Sequence, residues 1–287
     1  MRRGLALTFA ILLIAATAVW TPAAQRPSIA SADPASLRFA VIGDAGNGER
    51  PQYEIGERLS AARADFPFEF VILLGDNMLG RQEAQDFIDK FQRPYRPLLD
   101  AGVRFYAALG NHDKQSNRFY PGFNMGGERY YTFVRQRVRF VVLDTNLLDR
   151  KQIAWAEDTL RTAQEPWKIA YFHHPLYSDG GRHGSDVQLR VVLEPIFVKH
   201  GVDVVFASHD HIYERIKPQK GITHFVQGAG GQLRKGDLKR SALTAAGFDE
   251  DQSFMLVEIA GGQMSFRVMS RTGATVDSGV IGRRPTT

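Results

Sequence analysis

Five apolar runs in this 287-residue chain end on side chains that can bind a metal ion. Phe39-Ala40-Val41-Ile42 is followed by Gly43-Asp44, Phe70 to Leu74 by Gly75-Asp76-Asn77, and Phe105 to Leu109 by Gly110-Asn111-His112-Asp113. Ile169 to Phe172 is followed by His173-His174, and Val204 to Ala207 by Ser208-His209-Asp210-His211. Taken singly, an aspartate after a strand is usually a turn former and a histidine is usually a structural hydrogen-bonding residue. Taken together, carboxylates, imidazoles and an amide without sulfur make a donor set suited to Mn, Fe or Zn. Cysteine is absent, which excludes thiolate ligands, a cysteine nucleophile and disulfides. The glycines of Gly43 to Gly48 are in the wrong order for a dinucleotide fingerprint, and neither a G-K-[ST] phosphate loop nor a G-x-S-x-G elbow occurs. His200 and His224 lack the strand-end context and are read as structural.

For these positions to meet, the runs must be strands whose carboxyl ends face one crevice, as in open α/β sheets. The pattern supports this: β-branched and aromatic runs alternate with helical stretches. Strands are expected at 37–42, 68–74, 103–109, 130–134, 138–143, 168–172 and 202–207, then at 222–226, 254–259, 264–269 and 275–281. Helices are expected at 52–64, around 84–91, and at 151–163 and 187–200. The early part reads βαβαβ and the last third is mostly strands, so the expected fold is α/β with mixed or packed sheets flanked by helices. Loops at 115–127 and 178–185 are rich in Gly, Asn and Ser, as loops that carry function often are.

The first 32 residues read differently. Arg2 and Arg3 precede an uncharged run from Leu5 to Trp20, and Ala30-Ser31-Ala32 is a small-x-small cleavage pattern. A signal peptide over 1–32 and a single catalytic domain over 33–287 are expected, with secretion or a periplasmic location; an uncleaved anchor is the alternative. Without residues 1–32 the chain keeps 33 basic against 31 acidic side chains, a formal charge of +2 instead of +5. That balance suggests no nucleic-acid partner, and no membrane contact is expected after cleavage.

In this order, the five strand-end motifs resemble the calcineurin-like metallophosphoesterase superfamily, and within it the purple or tartrate-resistant acid phosphatase branch, over about residues 37–270. The resemblance implies a four-layer αββα sandwich with two central mixed sheets, and a centre of two divalent or trivalent ions, Fe, Mn or Zn. Carried over by position, it makes Asp76 the carboxylate shared by both ions. Asp44 and His211 would complete the first site, and Asn111, His173 and His209 the second. His112 would protonate the leaving oxygen or hold the phosphate, Asp113 would orient its ring, and His183 would be a substrate-side histidine. His174 would lie behind the ligands. The activity implied is metal-dependent hydrolysis of phosphate esters, most simply of small phosphomonoesters. A phosphodiesterase or nucleotidase on the same fold, or a metal- or phosphate-binding relative with little turnover, are the alternatives.

Two departures concern the first site. Leu79 stands where purple acid phosphatases have a tyrosine ligand, and Gly46 stands where many superfamily members have a histidine ligand. Asn47 is the nearest substitute by sequence. Ser208 replaces the glycine usual before H-x-H. Arg234, Lys235, Lys239 and Arg240 follow a glycine run and are read as a solvated loop that could attract anions; Phe119, Tyr120 and Phe123 are read as either a substrate wall or loop packing. Oligomeric state and natural substrate stay open.

Overall fold

The computed structural model describes Met1 and residues 36–284, so apart from Met1 the expected targeting segment lies outside the described residues. Among the described residues no helix is long and apolar enough to cross a membrane.

Among the described residues, thirteen strands and five α-helices follow one another. β1 (Leu37–Ile42), α1 (Arg50–Asp65) and β2 (Phe70–Leu73) lead to α2 (Ala84–Phe87), which continues as a π-helical turn, and then to α3 (Arg96–Asp100) and β3 (Arg104–Ala107). β4 (Tyr131–Arg135), β5 (Val138–Val142), α4 (Arg150–Thr162), β6 (Trp167–Tyr171), α5 (Val187–Lys199) and β7 (Val204–Ala207) make the middle of the chain. β8 (Tyr213–Gln219), β9 (Ile222–Gln227), β10 (Thr244–Phe248), β11 (Ser253–Ala260), β12 (Gln263–Ser270) and β13 (Thr275–Gly282) complete it. One sheet has the order β13-β12-β11-β1-β2-β3 and the other β10-β8-β9-β7-β6-β5-β4. Both are mixed: β1, β2 and β3 run parallel while β1 pairs antiparallel with β11, and β5, β6, β7 and β9 run parallel while β8 pairs antiparallel with β9.

Side-chain alternation sorts the core into layers. Phe39, Val41, Phe70 and Ile72 face Phe140, Val142, Ile169, Tyr171 and Phe206 between the two sheets. Their neighbours Ala40, Ile42, Val71 and Leu73 point outward under α1, with Ile55 and Leu59. Val141, Ala170 and Val205 point the other way under α4 and α5, with Leu160, Leu193 and Phe197. The result is the expected helix–sheet–sheet–helix arrangement. The Phe39 ring meets Phe140 edge-on at 5.5 Å and Phe206 at 6.3 Å, pinning one sheet to the other where the site-bearing strands run.

Three elements escape the sequence reading. β8 carries Glu214, Arg215, Lys217 and Pro218, with a register break against β9 between Ile216 and Gln219, so its apolar alternation is interrupted. β10 reads Thr-Ala-Ala-Gly-Phe at a sheet edge, and α3 has only five residues; neither is long or apolar enough to show a period. The helices over 151–163 and 187–200 appear as α4 and α5, capped at their N-termini by Asp149 (accepting from Gln152 N, 2.8 Å) and Asp186 (accepting from Leu189 N, 2.9 Å).

Candidate metal centre

The carboxyl ends of β1, β2 and β3 in one sheet and β6 and β7 in the other meet at one edge of the sandwich. Asp44, Asp76 and His173 are buried there with ligand-capable atoms within 4.8 Å of one another, and His173, His174 and His209 form a second such group. The loops hold a costly backbone to do this. Asp44 (φ 51°), Asp76 (φ 50°) and His209 (φ 69°) lie in the left-handed region that L-residues rarely adopt. Strain at three neighbouring positions persists only where the surroundings over-determine it. Here Asp44 N donates to Gly75 O (3.1 Å), Gly46 N to Asp76 O (3.2 Å), and His209 N to Asp44 Oδ2 (3.0 Å). A Cβ at Gly110 would overlap Asp76 Oδ1, so glycine is what lets the Asn111 loop pass over that carboxylate.

The hydrogen bonds at His173 fix its tautomer. The Ser208 hydroxyl donates to Leu74 O (2.7 Å), since a carbonyl can only accept. Ser208 Oγ (2.9 Å) and Leu74 O (3.1 Å) are then both acceptors for His173 Nδ1, which must carry the proton. His173 Nε2 is therefore a lone pair, and it lies 2.9 Å from Asn111 Oδ1, another acceptor. Asp76 Oδ1 is 3.5 Å and His209 Nδ1 3.1 Å from the same nitrogen. His173 Nε2, Asn111 Oδ1 and Asp76 Oδ1 bring lone pairs to one point. A second proton on His173 does not relieve them, because burial, then the charge of His174, pushes its pKa well below the ordinary histidine value. Burial and then His173 push His209 down to about 2, and burial and then Arg234 lower His211. In the opposite sense, burial and then Asp76 raise Asp44 well above the carboxylate range, and burial raises Asp76. Carboxylates that resist ionising beside imidazoles that resist protonating are the combination that a bound cation would relieve. Asp44 Oδ1 is buried with no hydrogen-bond partner, 3.4 Å from His211 Nε2, which marks a second such point. These residues fit two ions held by nitrogen and oxygen donors.

The remaining candidates fall around this cluster. His112 is exposed at the rim; its N–H donates to Asp76 Oδ1 (2.9 Å) and its Nε2 is 4.0 Å from Asp76 Oδ2. The His183 ring lies against that of His209, centroids 4.0 Å apart. Asp210, inside the S-H-D-H motif, arranges this: its buried carboxylate accepts from Ser178 Oγ (2.6 Å), His183 N (3.3 Å) and Gly184 N (3.1 Å). His174 Nδ1 is 2.8 Å from Thr145 Oγ1, and its ring is 4.5 Å from that of His209, closer to the cluster than a purely structural neighbour need be. Asn111, Thr145, Asn146, His174 and Asp186 line an open cleft of about 380 Å³ beside the His173 side of the cluster.

Two expectations need correction. The Asp113 carboxylate does not address the His112 ring. It accepts from Gly110 N (2.9 Å), Asn77 N (3.2 Å), Asn77 Nδ2 (2.8 Å), Met78 N (3.0 Å) and Asn117 Nδ2 (3.2 Å), so it ties the Asp76 and Asn111 loops together. Asn47 does not turn its amide to the Asp44 carboxylate: Nδ2 donates to Gly231 O (3.0 Å) and Oδ1 accepts from Glu49 N (3.0 Å). Position 46 is closed by backbone, for a Cβ there would overlap Asn77 O, and Leu79 N donates to Gly46 O (2.8 Å). Tyr120 and Phe123 pack on Phe87 and Phe91, which settles them as loop packing, while Phe119 is exposed beneath the Arg118 guanidinium. Gln82 gives no signal in the sequence, yet it clamps the His112 loop, with Nε2 donating to His112 O (2.6 Å) and Oε1 accepting from Lys114 N (2.8 Å).

Comparison with known proteins agrees with this geometry. Residues 37–213 match the family described as calcineurin-like phosphoesterase. The chain is 24% identical to rabbit (Oryctolagus cuniculus) tartrate-resistant acid phosphatase type 5 over 266 residues, covering 78% of this chain and 80% of that protein. Purple acid phosphatase PPD1 from yellow lupin seeds superposes with a TM-score of 0.72 at 20% identity, over 88% of this chain and 57% of that one. Plasmodium GAP50, described as the anchor in the inner membrane complex, superposes with a TM-score of 0.74 at 17% identity, over 87% and 90% of the two chains. At these identities the two structures speak to the shared fold. The chain belongs to the calcineurin-like phosphoesterases and is an acid phosphatase-like metallophosphoesterase of the purple and tartrate-resistant branch.

Proposed function

We propose that the protein hydrolyses phosphomonoesters at a two-ion centre built on Asp44, Asp76, Asn111, His173, His209 and His211. The observation that carries this is the approach of two lone-pair atoms, His173 Nε2 and Asn111 Oδ1, to 2.9 Å with no proton between them in the tautomer that Ser208 and Leu74 O set, and with Asp76 Oδ1 beside them. Asn111, His173, His209 and Asp76 would hold one ion, and Asp44, His211 and Asp76 the other. When bound, such ions supply positive charge to a phosphoryl group and lower the pKa of water. The chain supplies the rest. The left-handed backbone at Asp44 and Asp76 aims both carboxylates inward, and Ser208 keeps the His173 Nε2 lone pair free. His112, exposed on the Asp76 side, would give a proton to a departing alkoxide or phenoxide, and His183, against the His209 ring, would donate to a phosphate oxygen.

The first site has three protein ligands in this reading. Position 46 has no room for a side chain on this backbone, and the Asn47 amide is already bonded within the loops. We take Leu79 to leave it without a phenolate, so the Asp44–His211 ion exchanges more readily than its neighbour and iron-loaded protein shows no purple tyrosinate band. We further read the protein as secreted or periplasmic, on the basis of Arg2-Arg3, the run Leu5 to Trp20 and Ala30-Ser31-Ala32. N-terminal sequencing of material from the native host should then begin at Asp33.

The test is hydrolysis of p-nitrophenyl phosphate and bis(p-nitrophenyl) phosphate by protein stripped of metal and reloaded with Mn, Fe or Zn. Metal-dependent turnover with preference for the monoester supports the proposal. Preference for the diester makes the protein a phosphodiesterase, and metal binding without turnover of either makes it a binding protein on this fold.

A further inference from the structure

The basic run after Gly228-Ala229-Gly230-Gly231 is less uniform than its sequence suggests. Lys235 pairs with Glu250 (2.7 Å), Lys239 Nζ donates to Gly236 O (3.0 Å), and Arg240 Nη2 donates to Gly247 O (2.6 Å). Arg234 differs from all three. Among the described residues its guanidinium has no hydrogen bond or ion pair, and its Nη1 is buried without a partner. A buried, permanently charged donor without an acceptor costs free energy in the absence of a ligand.

The position of Arg234 says what that ligand is. Its backbone N–H donates to His211 O (3.0 Å), and the same loop is bound to the Asp44 side of the cluster by Gly230 N to Gly43 O (3.0 Å) and Gln232 N to Asp44 O (3.0 Å). Arg234 is thus held one backbone hydrogen bond from His211, on the Asp44 side of the cluster, with its Nη1 buried and unpaired. The Asp210 carboxylate nearby does not serve as its partner, being occupied by Ser178, His183 and Gly184. We infer that Arg234 binds a non-bridging oxygen of the substrate phosphate and sets a preference for monoesters over diesters. A monoester presents three non-bridging oxygens and close to two negative charges, a diester two oxygens and one charge. An added guanidinium therefore favours the monoester, and its planar fork suits phosphate geometry. The inference rests on the phosphoesterase reading above.

The test compares wild type with Arg234→Met, Arg234→Lys and, as a charge-matched control one residue away, Lys235→Met. Inorganic phosphate binding is measured by calorimetry on metal-loaded and metal-stripped protein, together with metal content and kcat/KM for p-nitrophenyl phosphate and its bis ester. A hydrogen bond to a charged group corresponds to about a 10- to 150-fold change in binding. Arg234→Met should weaken phosphate binding and lower kcat/KM for the monoester within that range. The diester should change by less than about 3-fold on the same reasoning. Arg234→Lys should recover part of the loss, and Lys235→Met should behave as wild type with unchanged metal content. The inference is overturned if Arg234→Met binds phosphate as wild type does, if Lys235→Met loses as much, or if monoester and diester fall together. If wild type hydrolyses neither ester, the phosphoesterase proposal fails by itself, and the phosphate-binding comparison still decides the role of Arg234.

Discussion

Ser208→Ala probes the way the fold prepares a ligand. In the wild type the hydroxyl donates to Leu74 O at 2.7 Å and accepts from His173 Nδ1 at 2.9 Å, which holds the imidazole in the tautomer with a free Nε2. Removing a ligand's orienting partner typically costs 10- to 100-fold in metal affinity. Here Leu74 O remains 3.1 Å from Nδ1 and can still accept its proton, so the loss should fall near the lower end, about 10-fold or 1.4 kcal/mol. The metal-stripped protein should lose about 1 kcal/mol of stability from the same deletion. Competition against a chromophoric chelator gives the affinity for Mn or Zn, and urea unfolding of stripped protein gives the stability. Ser208→Gly should match Ser208→Ala in affinity, because the hydroxyl is what both lack. An affinity within about 2-fold of wild type, well short of that loss, would refute the tautomer argument, whatever happens to stability.

Other outcomes follow from the same geometry. Burial holds His224 down to about 3, with its Nε2 unpartnered. Below the ordinary histidine pKa the unfolded chain takes up a proton that the native chain refuses, so stability is lost as pH falls from about 6.5 towards 3. Stripped wild type should therefore lose roughly 2–3 kcal/mol more than His224→Phe between about pH 7 and about pH 4.5, read from unfolding curves at each pH. Asp113→Asn, in either orientation of its amide, sets an N–H₂ against backbone donors from Gly110 and Asn77 or from Met78, and should cost roughly 2–5 kcal/mol in urea unfolding. Its pH–rate profile should keep the shape of wild type, since Asp113 does not touch the His112 ring. Gly46→Ala must displace the Asn77 carbonyl, and should weaken the more exchangeable ion first in a two-step chelator titration.

The fold was legible wherever burial on both faces forced continuous apolar strands, as in β1, β2, β6 and β7. It was not legible where a strand's partners supply the burial, as in β8 with its charged residues and Pro218, or where an edge strand uses small residues, as in β10. Convergence of the strand ends could be read because parallel strands in facing sheets end on the same edge. The work of Asp113 and Asn47 could not be read, because their partners Asn77 and Gly231 come from other loops. Nor could sequence show that the Asn77 carbonyl closes position 46, or that Arg234 alone in its basic run is without a partner.

The central claim is that the strand-end cluster is a metal centre organised on Asp76. Its most direct test is the metal content, by mass spectrometry after loading and desalting, of wild type and Asp76→Asn, with folding of both checked by circular dichroism. The account predicts that folded wild type retains ions and that folded Asp76→Asn retains less than about half as much, as expected when a carboxylate common to both sites is neutralised. Equal retention by the two proteins would contradict it.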